Sequence, residues 1–214
     1  MENLNFTINT HSSICINGNI YIDPFKISTA KNNADYIFIT HSHWDHLDLE
    51  SIKKVMNNKT IFVCPCNCYD EINKLCEDKK RIVMVKPNSH VFLHNGNSMQ
   101  DITCDAFASY NLNKTFHPKN NNWVGYNLNI SGKKYMICGD SDLTDELKNQ
   151  STNILFVPIG GTYTMDAVEG AKLANIIKPD LVVPIHYGEV VGDEHCSETF
   201  INNLDATIKY KIIL

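Results

Sequence analysis

Short runs of β-branched and aromatic residues, separated by polar stretches, recur along the whole chain. Runs of this kind are typical of β-strands. They predict about eleven strands, at residues 6–8, 20–22, 36–40, 61–64, 82–85, 102–107, 126–130, 135–138, 154–157, 181–185 and 207–213. Helical periodicity is confined to stretches between them, at residues 51–56, 67–79, 142–150, 166–177 and 196–204.

The best-marked helix is predicted over residues 166–177. Thr164 or Asp166 can cap its first turn, and Glu169 follows Asp166 at the spacing of a capping box. Pro179 ends the helix. An apolar stripe along it is formed by Ala167, Ala171, Ala174 and Ile177.

Strand clusters interrupted by helices predict a layered α/β architecture rather than strict alternation of strands and helices. We expect two halves that meet near residues 111–122, where the Asn-rich stretch 119–122 predicts a long loop. No stretch rich in Pro, Gly or Ser divides the chain, and no repeat of fixed period is present. Residues 1–214 are therefore predicted to form one domain.

Composition narrows the class of protein. Hydrophobic residues make up 43% of the 214, which is enough for a sizeable core and excludes a disordered chain. The net charge is −5 and the basic residues are scattered, so a nucleic-acid partner is disfavoured. No run approaches the roughly 20 apolar residues of a membrane span, and no signal peptide is recognisable. We expect a cytoplasmic protein in a reducing setting, with its cysteines free of disulfides.

Histidine and cysteine, both common metal ligands, are abundant, at nine and eight residues. The sharpest motif is the segment from Thr40 to His46, directly after a predicted strand. In an extended segment His41, His43 and Asp45 fall on one side, and a turn at His46 brings its imidazole back toward them. Imidazoles and a carboxylate suit Zn, Fe or Mn, so the segment predicts a metal site.

His-x-His-x-Asp-His after a strand resembles the signature of the metallo-β-lactamase superfamily. Later motifs of that family follow in order: Ile22-Asp23-Pro24, Phe116-His117-Pro118-Lys119, Cys138-Gly139-Asp140 and Pro184-Ile185-His186-Tyr187-Gly188. The resemblance covers residues 20 to 190. Within the superfamily, residues 116–119 and 157–166 look like the small metal-dependent hydrolases related to L-ascorbate-6-phosphate lactonases.

The resemblance implies an α/β fold, a four-layer αββα sandwich with the site along one edge. It implies two divalent metal ions, zinc first and manganese or iron as alternatives. Carried over residue by residue, the first ion takes His41, His43 and His117, the second takes Asp45, His46 and His186, and Asp140 bridges them. Asp45 is also expected to orient the attacking hydroxide or carry a proton.

The implied reaction is hydrolysis of an ester-like bond, in a phosphodiester or a lactone, of a small anionic substrate. Three alternatives stay open: an iron enzyme for redox, oxygen or persulfide chemistry, an RNA-processing nuclease, and a non-catalytic scaffold. No inserted basic segment supports the nuclease. The expected partner is a small anionic substrate, and neither a membrane nor a nucleic acid is expected to bind. The sequence is compatible with a homo-oligomer.

Other chemistry-bearing residues have simpler explanations. Cys64, Cys66, Cys68 and Cys76 do not have the Cys-x₂-Cys spacing of zinc sites, so structural roles are favoured over a metal. Cys68 and Cys76 are expected to pack on an apolar helix face, and Cys66 has only a loop position. His11, His90, His94 and His195 match no motif and are expected to have ordinary roles. Trp44 is expected to pack beneath the site, Lys114 and Lys119 to neutralise an anion or lie in solvent, and Gly160-Gly161 to form a tight turn or an anion-binding loop.

Overall fold

The computed structural model describes residues 5–94 and 101–214. The chain forms two compact units, one ending at Val85 and the other comprising the described residues from Lys86 onward. The expected boundary near residues 111–122 is wrong, because those residues belong to a loop between two paired strands of unit two. The single domain predicted over the whole chain stays a prediction.

Unit one is built on a six-stranded mixed sheet whose strands follow chain order. They are β1 (Phe6–Ile8), β2 (Ile14–Ile16), β3 (Ile20–Ile22), β4 (Tyr36–Phe38), β5 (Ile61–Pro65) and β6 (Ile82–Val85). The first three pair antiparallel, and β3 to β6 pair parallel. Helices α1 (Leu49–Val55) and α2 (Tyr69–Leu75) lie in the connections that follow β4 and β5.

Apolar burial explains why these short strands form. Every residue of β2, β3 and β4 is buried, as in strands that are covered on both faces. On one face, Ile37 and Phe62 belong to a cluster that includes Ile52 of α1 and Ile72 of α2. Asp48 caps α1 by accepting from the backbone of the first turn, so this helix begins earlier than predicted.

Unit two is a second six-stranded mixed sheet, in the order β12-β11-β10-β9-β8-β7. Its strands are β7 (His90–Leu93), β8 (Ile102–Ala108), β9 (Val124–Ile130), β10 (Lys133–Ile137), β11 (Ile154–Pro158) and β12 (Leu181–Ile185). β7 to β10 pair antiparallel, and β10 to β12 pair parallel. The helices are α3 (Asp145–Lys148), α4 (Ala167–Ile177) and α5 (His195–Asn203).

Helix α4 has the predicted ends. Asp166 is the N-cap, its side chain accepts from the Glu169 backbone, and the Glu169 side chain accepts in return from the Asp166 backbone. Lys178, in the left-handed region, ends the helix just before Pro179. Helix α4 packs on β11, and both contribute to one buried cluster.

Most predicted strands are confirmed, and the misses have local causes. β2 and β7 were missed because each is short and lies next to polar residues that hide its apolar run. The strand predicted at residues 207–213 is wrong: only Tyr210 forms an isolated bridge there, with Val182. The bridge consists of two backbone hydrogen bonds, from the Val182 amide to the Lys209 carbonyl and from the Lys211 amide to the Val182 carbonyl.

Among the described residues, no helix combines the length and the apolar character that crossing a membrane would require.

Candidate metal centre

The histidine motif of unit one follows β4, as predicted. Backbone pairing continues beyond the strand, since Ile39 donates to the Val63 carbonyl at 2.9 Å. The chain then turns, because the amides of His46 and Leu47 both donate to the carbonyl of His43, at 3.0 and 2.8 Å. This turn brings His46 back toward His41, with ring centroids 4.0 Å apart.

His41 and His43 present ring nitrogens to one another. Nε2 of His41 and Nδ1 of His43 are 3.1 Å apart. Two atoms bound about 2.0–2.1 Å from one tetrahedral ion lie about 3.3 Å from each other. The separation of these two nitrogens therefore suits two ligands of a single ion.

Asp23 orients the last histidine of the motif. It follows β3, is fully buried, and accepts from the backbone and the hydroxyl of Thr40 at 2.8 and 2.6 Å. Its Oδ2 lies 2.7 Å from Nδ1 of His46. A carboxylate on one ring nitrogen fixes the tautomer and directs the other nitrogen to a metal. Asp23 thus leaves Nε2 of His46 as the atom that can bind a metal.

A fourth histidine of unit one, His11, lies beside this motif, and the sequence did not reveal it. One side-chain atom from each of His11, Asp45 and His46 lies within 4.8 Å of the others. Nε2 of His11 is 3.1 Å from Oδ2 of Asp45. The available signal was a histidine between two apolar runs, but β2 was not predicted, so the β1–β2 turn that carries His11 was not recognised.

Unit two contains the other predicted ligands. Asp140 and His186 follow the carboxyl ends of β10 and β12, and His117 lies in the loop between β8 and β9. Oδ2 of Asp140 lies 3.3 Å from Nε2 of His117 and 3.0 Å from Nε2 of His186. All three side chains are buried. One carboxylate oxygen thus contacts two imidazoles at separations that suit metal ligands.

His117 is held by its own loop. Its Nδ1 lies 3.0 Å from Oδ1 of Asn111, and the backbone N–H of Asn111 donates to the backbone carbonyl of His117 at 2.8 Å. Buried Asp142 anchors the same loop by accepting from the amide of Leu112 at 2.8 Å and from the ammonium of Lys114. As with His46, a polar partner on Nδ1 leaves Nε2 for a metal.

Three residues of the candidate site have a strained backbone. His11, Asp23 and His186 have φ values of 52°, 44° and 58°, in the left-handed region that costs a non-glycine residue about 1–2 kcal/mol. Glycine is required beside two ligands: a Cβ on Gly139 would meet Oγ of Ser109 at 2.9 Å, and one on Gly160 would meet the His186 carbonyl at 2.3 Å. Strain of this kind persists where the surroundings hold it, often at functional sites.

Gly160-Gly161 forms a tight turn. Gly161 has a φ of 83° and donates its amide to the Met165 carbonyl at 3.1 Å. The following helix is already capped by the Asp166 carboxylate, which takes the place an anion would use. The turn explanation therefore applies, and the anion-binding alternative has no support.

The two lysines near His117 are bonded to carboxylates. Lys114 contacts Asp142, and Lys119 donates to Glu146 at 2.6 Å and to the Tyr110 hydroxyl at 3.1 Å. These contacts fasten the loop of unit two. The expected role in neutralising an anion has no support from them.

Trp44 is not packed beneath the site. Its side chain is 65% exposed and meets the Phe25 ring in an edge-to-face arrangement, with centroids 5.4 Å apart. The reason is the turn at residues 43–46, which directs the ligand side chains inward and leaves the intervening indole in solvent. Phe116, beside His117, is also partly exposed, at 46%.

Cys68 and Cys76 pack in the core, as predicted. Cys64, Cys68 and Cys76 are buried in the helix-facing cluster of unit one, whereas Cys66 is exposed. Over residues 5–94 and 101–214, no cysteine joins a group of three or more potential metal ligands. Burial raises the pKa of the Cys64 thiol to about 12, and burial also raises the pKa of Cys68. These thiols are structural and poorly nucleophilic.

We expect a disulfide reagent at pH 8 to modify Cys66 within minutes and Cys64 and Cys68 only after unfolding, because the thiolate is the reacting form. Mass mapping of labelled peptides at timed intervals measures this order. The Cys66→Ser variant should lose the fast phase alone. Rapid labelling of Cys64 in the folded protein would contradict its burial.

The remaining histidines have surface roles. His90 and His94 are exposed and pair with Asp105 and Asp101, and His195 is exposed on the first turn of α5. These positions agree with the expectation of ordinary roles for the three, which stays a prediction. His11 differs from them, because it is fully buried beside Asp45.

Known proteins share this architecture. A UPF0173 metal-dependent hydrolase of Thermococcus onnurineus is 29% identical over 182 residues, 78% of this chain and 76% of the relative. A solved structure described as a metal-dependent hydrolase of Parabacteroides distasonis has a TM-score of 0.76 at 26% identity, covering 97% of this chain and 91% of that one. The metallo hydrolase Igni18 of Ignicoccus hospitalis shares the fold, with a TM-score of 0.72 at 20% identity and coverage of 97% and 94%.

The predicted α/β fold class is confirmed by the two mixed sheets with flanking helices and by these structural matches. The beta-lactamase superfamily domain model matches residues 6–186, from β1 to the last predicted ligand, His186. The closer likeness to ascorbate-6-phosphate lactonases stays a prediction. Since the matched region spans most of the chain, this protein belongs to the beta-lactamase superfamily.

Proposed function

We propose that this metal-dependent hydrolase of the beta-lactamase superfamily binds two divalent metal ions, with zinc as the expected metal, and hydrolyses an ester-like bond. A phosphodiester or a lactone in a small anionic substrate is the expected target. The observation that carries the proposal is the position of Asp140, whose Oδ2 contacts imidazole nitrogens of both His117 and His186. A carboxylate placed in this way is suited to bridging two ions.

The predicted ligand sets agree with the contacts inside each unit. His41 and His43, proposed for the first ion, present nitrogens 3.1 Å apart. Asp45 and His46, proposed for the second ion, present Oδ2 and Nε2 3.8 Å apart. The family resemblance adds His117 to the first set, His186 to the second and Asp140 to both, and we propose these assignments.

The chemistry of the donors fits such ions. Two imidazoles have a polar partner on Nδ1, Asp23 for His46 and Asn111 for His117, which is the usual support of a metal-binding histidine. When bound, a pair of divalent ions lowers the pKa of a bound water to about 7 and stabilises a developing oxyanion. The protein therefore needs no serine or cysteine nucleophile.

The residues of the chain have complementary tasks in this reaction. The rigid histidines hold the site, and Asp45, the partly exposed acid among the ligands, is proposed to orient the attacking water and to accept its proton on a carboxylate oxygen.

Metal analysis of anaerobically purified protein, with assays on phosphodiester, lactone and thioester substrates, tests this function. We expect two zinc or manganese ions per chain and turnover of at least one ester-like substrate, abolished by a chelator and restored by the metal. A single iron with oxygen consumption would overturn the proposal and favour the redox alternative. Cleavage confined to RNA would favour the nuclease.

A further inference from the structure

His11 lies in a tight turn between the first two strands. The amide of Ser13 donates to the Thr10 carbonyl at 2.8 Å, and the Asn9 amide donates to the Ser13 carbonyl at 2.9 Å. His11 occupies this turn with a φ of 52°, a conformation that usually favours glycine, asparagine or aspartate. Its imidazole is nevertheless fully buried. The turn therefore sustains local strain while it delivers a polar ring to the interior of unit one.

Contacts on both sides of the turn fix the position of this ring. The Asn9 side chain donates to the Phe25 carbonyl at 2.8 Å, and the Phe25 amide donates to Oγ of Ser13 at 3.1 Å. The His11 ring packs edge-on against Phe25 and His46, with centroids 6.1 and 5.8 Å away. The turn is thus clamped to the segment that follows Asp23, close to the histidine motif.

The polar contact of the His11 ring is with Asp45. Nε2 of His11 lies 3.1 Å from Oδ2 of Asp45, although the two residues are 34 positions apart. An ionised carboxylate only accepts hydrogen bonds, so Nε2–H of His11 is the donor. Asp45 lies in the turn after His43 and its side chain is 13% exposed, so a donor to Oδ2 restricts the orientations that the carboxylate can adopt.

We propose that His11 is a positioning residue for Asp45: its Nε2–H holds the carboxylate in the orientation that serves the second metal ion. Asp45 then has the same kind of support that Asp23 gives to His46 and Asn111 gives to His117. Such partners typically contribute a factor of about 10–100 to metal affinity. The β1–β2 turn is therefore part of the metal centre, although its sequence contains none of the predicted ligands.

This inference rests on the proposed metal site, and zinc titration against a chromophoric chelator tests the two separately. If the parent protein binds no zinc, the proposed function fails. If the parent binds two ions, His11→Leu is expected to weaken the second ion about 10–100-fold and leave the first unchanged. If His11→Leu binds both ions as tightly as the parent protein does, the inference about His11 is wrong and the proposed function still stands.

Two further variants separate positioning from direct ligation. In His11→Gln the amide can replace the Nε2–H donor, so recovery of most of the lost affinity is expected. In His11→Asn the backbone conformation is tolerated but the amide is too short, so affinity should stay low. Loss of the second ion in His11→Gln as severe as in His11→Leu would contradict positioning and indicate that His11 is itself a ligand.

A double variant tests whether the effect passes through Asp45. If it does, His11→Leu adds little to the loss already caused by Asp45→Asn. The visible spectrum of the cobalt-substituted protein should change in the same way in both single variants. His90→Leu, which removes an exposed histidine paired with Asp105, is the matched control. Thermal unfolding in the presence of a chelator verifies that each variant folds. If His11→Leu does not fold, the comparison of zinc affinity between His11→Asn and His11→Gln tests the inference.

Discussion

Replacing Asp140 by asparagine is expected to lower the rate of hydrolysis more than about a thousandfold, equivalent to about 4 kcal/mol of transition-state stabilisation. Asp140 is buried, and its Oδ2 contacts Nε2 of both His117 and His186. An amide of the same size keeps the packing but removes the negative charge that suits a bridge between two cations. We therefore expect at least one ion to be lost together with the activity.

Metal content and turnover of the Asp140→Asn variant, measured on the same preparation, check this prediction. Asp105→Asn is the matched control, because Asp105 is an exposed aspartate of the same unit and lies on β8. It should retain both ions and the parental rate. Full activity of Asp140→Asn with two bound ions would show that Asp140 is not a ligand.

Replacing Asp23 by alanine is expected to lower the free energy of unfolding by about 3–5 kcal/mol even without metal. The buried carboxylate accepts three hydrogen bonds, two from Thr40 and one from His46. Its removal leaves these donors unsatisfied in the interior, and each such group costs about 1–3 kcal/mol. For a chain of this size, Tm should fall by roughly 10 °C. Zinc affinity should also fall, about 10–100-fold, because His46 loses its orientation.

Thermal unfolding in the presence of a chelator isolates the stability effect of Asp23→Ala from the metal effect. The Thr40→Val variant removes only the hydroxyl donor and should cost about 1 kcal/mol. Asp101→Ala, at an exposed aspartate, is the neutral control. An unchanged Tm for Asp23→Ala would mean that the interior tolerates the unpaired donors. An unchanged zinc affinity would show that Asp23 does not orient His46 toward a metal.

The elements with strong local signals could be predicted from the sequence. Helix α4 has its cap, its apolar face and its stop within 14 residues, from Asp166 to Pro179, so its ends were predicted correctly. β2 and β7 were missed because a strand of three or four residues has little local signal and forms only when a neighbour supplies hydrogen bonds. The strand predicted at residues 207–213 has a strong local pattern, but only Tyr210 forms a bridge there, with Val182. A local pattern does not produce a strand when no neighbouring strand pairs along its length.

In the candidate site, too, some features could be predicted from local spacing and others could not. His41, His43, Asp45 and His46 lie within six residues, so one turn suffices to gather them, and spacing alone indicated a metal. Trp44 was placed wrongly because the direction of a side chain within a turn depends on the turn geometry, which the spacing does not specify. The same limit applied to Lys114 and Lys119, whose carboxylate partners come from distant segments.

The sequence by itself predicted a layered α/β fold, a metal-binding motif at residues 41–46 and the packing of most cysteines in the core, and its resemblance to a known family extended the candidate ligands to His117, Asp140 and His186. Only the tertiary structure decided which side chains support the ligands. Asp23 meets His46 across 23 positions and His11 meets Asp45 across 34, through the pairing of β1, β2, β3 and β4. Contacts of that range arise when strands align in a sheet, and no local pattern of hydrophobic and polar residues encodes which side chains then face each other.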